Sequence, residues 1–172
     1  MREALNSLAL AGVLTHDPHR GFFVTKFSQA ELAQLYFVRG TIEVEIARSL
    51  NWPTTKELRA LTKAATLMQD AAGAGDAVGW LDAHDDFYTL LLSLSPHKVL
   101  VEEAQRLWIR TEGFRSMRTH NALGQSHAAN LSHTHILEAL KKHDRDRLVD
   151  LFSQEMQVKE SDLAQWTTRG AL

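Results

Sequence analysis

The chain has no cysteine among its 172 residues. That excludes a disulfide framework and thiolate-held metals, and it suits a reducing cytosol. Net charge of one sign is also nearly missing, at −2, so no global basic field draws the chain to nucleic acid. Any contact with DNA has to come from a local patch. Long apolar runs are absent as well. The longest leucine run, Leu90 to Leu92, is far too short to cross a bilayer, and Met1-Arg2-Glu3 opens a mixed polar stretch rather than a signal peptide. We therefore expect a soluble cytoplasmic protein with no membrane partner. No repeat period and no low-complexity segment occurs. What is present is a 44% hydrophobic complement, enough to bury a core.

The first 27 residues differ from the rest. Leu5, Leu8 and Ala9 sit at helical spacing and Gly12 is placed to end that helix. Val13-Leu14, the turn-rich stretch Thr15 to Gly21 and then Phe22-Phe23-Val24 predict a β-hairpin. From Ser28 onward strand signals vanish. Ser28 with Glu31, and Thr54 with Glu57, make capping-box patterns that open helices running to about Ser49 and Ala72. Gly73-Ala74-Gly75 breaks the chain, and Asp76 can cap a third helix to about Leu94. After Ser95-Pro96, helices are expected from about His97 to Arg118, Gln125 to Lys142 and Asp144 to Trp166. The fold class is all-α: an antiparallel bundle of about six helices over 28–172, preceded by one short helix and a hairpin over 1–27.

Several polar residues interrupt the apolar stripes of these helices. Arg39 falls in the row Leu32, Leu35, Ile42, Ile46, and His84 and Tyr88 fall among Trp80, Phe87 and Leu91. His133 shares a face with Ile136 and Leu140, and Glu155 lies among Leu148, Leu151, Phe152 and Val158. Buried polar groups are costly unless they find partners, so four helices each sending one inward point to a polar pocket. An inward guanidinium at Arg39 suits a carboxylate ligand; a salt bridge to Glu43, one turn on, is the structural alternative. Arg110 is a weaker candidate and reads as a solvated surface residue. His16, His19, His120, His127, His135 and His143 read as surface residues, and Phe87 and Trp108 as core rather than ligand-stacking groups.

Arg2-Glu3-Ala4-Leu5, Ala11-Gly12-Val13-Leu14 and Arg20-Gly21-Phe22-Phe23-Val24 resemble the end of the recognition helix and the wing of GntR-superfamily repressors. Tyr36-Phe37-Val38-Arg39 with Glu43, His84-Asp85-Asp86-Phe87-Tyr88, and His133 to Leu140 with Asp144 resemble that superfamily's FadR-type effector domain. The resemblance implies a transcription regulator that senses a small organic acid, with Arg39, His84, Tyr88 and His133 in the effector site. It also implies a homodimer on operator DNA, with Arg2, Arg20 and Gly21 meeting the duplex. Phe37, Val101 and Trp108 are apolar candidates for the subunit contact. A winged helix needs two helices before its recognition helix, so the chain reads as truncated and as a poor DNA binder by itself.

The same family holds a metal with an aspartate and three histidines. At those positions this chain carries His84, Tyr88, His133 and Glu155, so only His133 matches. His84, His133 and Glu155 could hold a divalent transition metal of the zinc or nickel type. The other reading is an internally hydrogen-bonded polar network. A metal-dependent enzyme using this His/His/Glu set is the alternative function.

Overall fold

The computed structural model describes residues 1–112, 114 and 128–168. Its elements run α1 (Arg2–Leu10), β1 (Leu14–Asp17), β2 (Gly21–Val24), α2 (Gln29–Ser49), α3 (Thr55–Ala74), α4 (Ala77–Ser93), α5 (Lys98–Arg110), α6 (Ala128–Lys142) and α7 (Arg145–Thr168). The expected all-α bundle with a short leading helix and hairpin is what forms. The expected boundaries near Arg118 and Gln125 lie outside the described residues.

Local chemistry sets most of the helix starts. At both α2 and α3 the hydroxyl of the residue before the helix accepts the amide of a glutamate three residues on. That glutamate's carboxylate accepts the amide of the hydroxyl residue, at 2.8 Å for Ser28–Glu31 and 2.7 Å for Thr54–Glu57. These bonds favour the ionised carboxylate and lower the pKa of Glu31 and Glu57. Asp76 caps α4 through the Gly79 amide at 2.9 Å. Of the three residues expected to break the chain, only Gly75 does so. It takes a left-handed φ of 70° while α3 continues to Ala74.

The hairpin pairs Leu14 with Val24 and Asp17 with Gly21, antiparallel. The Asp17 carboxylate closes its turn by accepting the amides of His19 and Arg20 at 2.8 and 3.0 Å. Helix α1 packs on β1 and buries none of its residues; Leu8 and Leu10 remain exposed.

In the bundle α2 lies against α7 and α5, α3 against α4 and α6, and α6 against α7. One continuous core joins Ile46, Leu61, Met68, Phe87, Leu91, Ala104, Ile136, Leu140, Leu148 and Phe152. Helices α2 and α7 approach closely at Gly40. A Cβ built on Gly40 would lie 2.4 Å from Met156 Cγ and 3.0 Å from its Cβ, so glycine there lets Met156, and with it Glu155, sit against α2. At the far end Arg145 ties α7 to α2, donating Nη1 to the Ala47 carbonyl at 2.7 Å and Nη2 to the Leu50 carbonyl at 2.6 Å. Its guanidinium also lies 4.1 Å from the Trp52 ring, which stacks on His143.

Because two charged hydrogen bonds to helix-end carbonyls are lost together, Arg145→Ala should lower unfolding free energy by about 1.5–3 kcal/mol. Urea denaturation followed by circular dichroism measures this. A midpoint shift within error of zero would show that the two carbonyls are satisfied equally well by water.

Candidate effector site

Arg39 is 1% exposed, and its guanidinium is held on every side. Nη1 donates to Thr111 Oγ1 at 3.1 Å, and Nε stands 3.1 Å from Glu43 Oε1. The Tyr36 and Trp108 rings lie 4.6 and 4.8 Å from Cζ. A buried guanidinium is tolerable only with such pairing, and the aromatic faces fix its plane. Thr111 is itself anchored, donating to the Leu107 and Trp108 carbonyls at 3.0 and 3.2 Å. Arg39 thus faces the interior, and the salt bridge to Glu43, the structural alternative to a ligand contact, is present.

Beside this cation lies an aromatic cluster built by α4, α5 and α6. His84 stacks between Trp80 and Trp108, with centroids 4.6 and 5.3 Å away, and meets Tyr88 at 4.7 Å. His133 is 5% exposed and stands edge-on to Phe87, His84 and Tyr88 at 5.2, 5.3 and 5.7 Å. Trp108 donates its indole N–H to Asp85 at 3.1 Å. Tyr88 donates to both carboxylate oxygens of Glu155, at 2.8 and 2.7 Å, and Ser132 donates to the same carboxylate. Burial pushes the Tyr88 phenol well above its ordinary pKa, and the adjacent Glu155 carboxylate adds to the shift. Tyr88 therefore stays a neutral donor.

The four residues expected at the effector site, Arg39, His84, Tyr88 and His133, accordingly belong to one cluster, and Glu155 closes it through Tyr88. Sequence periodicity did not supply Thr111, Ser132, Trp80 or Asp85 as partners. Trp80 carried a signal, since it lies one turn before His84 on the same stripe; the hydroxyls of Thr111 and Ser132 carried none.

Two expectations need correction. Val101 and Trp108 are not exposed: they are 7% and 9% accessible, because the side of α5 that carries them faces α2 and α4. Phe37 is 56% exposed, as expected. Nor is Arg110 a solvated surface side chain, for its stem packs on Gly12 and its guanidinium lies 5.6 Å from the Phe27 ring.

His84, His133 and Glu155 do not form a ready metal centre. The two imidazoles meet ring to edge and the Glu155 carboxylate is engaged by two hydroxyls. Among the described residues no group of three or more histidine, aspartate or glutamate side chains is placed to hold a metal ion. The residues expected at DNA occupy the amino-terminal unit: exposed Arg2 opens α1, exposed Arg20 lies at the hairpin tip, and Gly21 there takes a φ of 90°. A separate open cleft of about 680 Å³ lies between α1, the hairpin and Arg110.

The FCD domain family matches residues 34–157, and the chain belongs to that family. Among solved structures it is similar to Escherichia coli McbR/YncC, with a TM-score of 0.80 and 22% identity over 96% of this chain and 84% of that one. It is also similar to a GntR-type putative transcriptional regulator from Rhodococcus sp. RHA1, with a TM-score of 0.78 and 20% identity over 99% and 79%. A Streptococcus agalactiae GntR structure aligns with a TM-score of 0.60 and 18% identity over 93% and 80%. The fold is that of the FCD-containing GntR regulators. A search of curated protein sequences returned no match.

Two consequences can be measured. Because the folded-state pKa of Tyr88 lies above the unfolded value near 10.0, the unfolded chain loses that proton first as pH rises. The phenol's contribution is full below pH 10 and is lost above it, so wild type should lose more stability than Tyr88→Phe between roughly pH 9 and 11. Equal losses would show that Tyr88 ionises freely in the folded state. Zinc or nickel should shift the melting temperature of wild type no more than that of His84→Ala/His133→Ala. A larger shift in wild type would mean that the cluster rearranges into a metal site.

Proposed function

We propose that this chain is the effector-sensing and dimerising part of a GntR-type transcription regulator, and that its ligand is a small organic acid bound in the Arg39 cluster. One observation carries the reading. In a fold shared with regulators, α2, α4, α6 and α7 bring buried Arg39, Tyr88 and His133 together with half-buried His84 and Glu155 in a single cluster. Such a cluster is expensive for stability alone, where apolar residues of similar volume often do as well.

The guanidinium suits a carboxylate because its planar fork gives two parallel charged hydrogen bonds. Its plane is already set by Tyr36 and Trp108, which reduces the cost of ordering it on binding. The internal carboxylate of Glu43 occupies Nε, so an entering acid exchanges with Glu43 at the guanidinium. Tyr88 and His133 then present ring edges to the remainder of the ligand. The chain acts as a homodimer in the cytoplasm, and ligand binding alters how two subunits present Arg2, Arg20 and Gly21 to operator DNA. The metal-dependent enzyme reading gains no support, since His84, His133 and Glu155 are committed to ring packing and hydroxyl donors.

Thermal-shift screening with a panel of small carboxylic acids tests this. An acid at about a hundred times its Kd should stabilise the protein by about 2.7 kcal/mol. Arg39→Gln/Glu43→Gln, which removes both charges and leaves no buried ion unpaired, should fold and lose the response. Equal stabilisation of that variant would overturn the Arg39 assignment, and consumption of the acid would favour an enzyme.

A further inference from the structure

Helix α5 ends between two sites. Its C-cap residue, Thr111, accepts the hydrogen bond from Arg39, whereas the residue before it, Arg110, faces the amino-terminal unit. A Cβ on Gly12 would stand 2.9 Å from Arg110 Nε, 3.2 Å from Cδ and 3.3 Å from Cγ, so the arginine side chain lies close against Gly12 and would have to shift for a larger residue. Gly12 also holds a left-handed φ of 79°, which side-chain-bearing residues adopt at a cost. Arg110 makes no ion pair among the described residues, and its Nε is buried without a hydrogen-bond partner. Its position is set by packing against Gly12 and Phe27.

Phe27 returns the path to the polar cluster. It packs with Leu32, Tyr36 and Phe114, and Tyr36 is the ring that lies against the Arg39 guanidinium. Arg39, Thr111, Arg110, Phe27 and Tyr36 therefore form a closed circuit of contacts, with Gly12 touching it at one point.

We propose that Arg110 is a positioning residue that fixes the α1–hairpin unit against the bundle, and that Thr111 makes this position depend on the state of Arg39. The cause is mechanical. The Thr111 hydroxyl is bonded both to Arg39 and to the Leu107 and Trp108 carbonyls of the last turn of α5. A change in what Arg39 binds is thus felt at the turn that carries Arg110, and Gly12 and Phe27 move with its side chain. The physiological direction of the signal rests on Arg39 being an effector contact. The link itself does not, so it is tested without effector.

Millisecond hydrogen exchange on the whole chain, followed by mass spectrometry, reads it. Peptides spanning residues 5–24 are compared with peptides from α3 and α4, which serve as the internal reference. Arg110→Ala and Thr111→Val should each speed exchange in residues 5–24 by about tenfold relative to that reference. Thr111→Ser, which keeps the hydroxyl, should restore wild-type exchange. The proposal is overturned if Arg110→Ala leaves the ratio unchanged. It is likewise overturned if Thr111→Val behaves like Thr111→Ser, or if exchange rises equally in α3 and α4, since each outcome removes the specific link. A null acid screen would leave these results unaffected, so failure of the effector assignment and failure of the joint are distinguishable.

Discussion

Burying the Arg39 guanidinium is the constraint from which much of this structure follows. A positive charge 1% exposed in the middle of a helical bundle must be met from several sides at once. Glu43 meets it from the same helix, Thr111 from the end of α5, and Tyr36 and Trp108 cover its faces. Once Trp108 is drawn inward its indole N–H needs an acceptor, which Asp85 on α4 provides. His84, the neighbour of Asp85, then stacks on Trp108 and extends the cluster to Tyr88 and His133. The charge and the aromatic core specify each other.

The second half of the site depends on helix spacing rather than charge. Glu155 reaches Tyr88 because α7 approaches α2 closely at Gly40, where Met156 occupies the space a Cβ would take. Arg145 holds the other end of the same helix pair. The two clamps set the register of α7 on α2, and that register decides which α7 residue faces α4.

Much of this was legible in the sequence, for identifiable reasons. Helix starts were readable at Ser28, Thr54 and Asp76 because capping is a local contract between residues three apart. Arg39, His84, Tyr88, His133 and Glu155 stood out because each interrupts an apolar stripe of period 3.6. The hairpin was readable from its turn residues, and α1 from the helical spacing of Leu5, Leu8 and Ala9. Thr111 and Ser132 were not legible, since a single hydroxyl near a helix end gives no periodic signal. Val101 was misread as a subunit contact, and Trp108 was read both as that and as core, because a short amphipathic helix has two candidate apolar sides until its neighbours are known. Arg110 was misread because its partner, Gly12, lies 98 residues away in sequence and contributes no side chain. The family's metal ligands mapped onto His84, His133 and Glu155 by position, whereas the ring packing of the imidazoles and the hydroxyl donors to Glu155 leave no trace in a linear pattern.

The most direct test of the account is where a bound acid is felt. Trp80 and Trp108 border the polar cluster, whereas Trp52 sits apart with Arg145 and His143. In two-dimensional NMR each indole N–H gives its own signal, and titration with an acid that stabilises the protein should shift the Trp108 and Trp80 signals saturably. Trp52 should stay in place. If instead the stabilising acid moves Trp52 and leaves Trp80 and Trp108 unchanged, the ligand binds elsewhere and the cluster around Arg39 is structural.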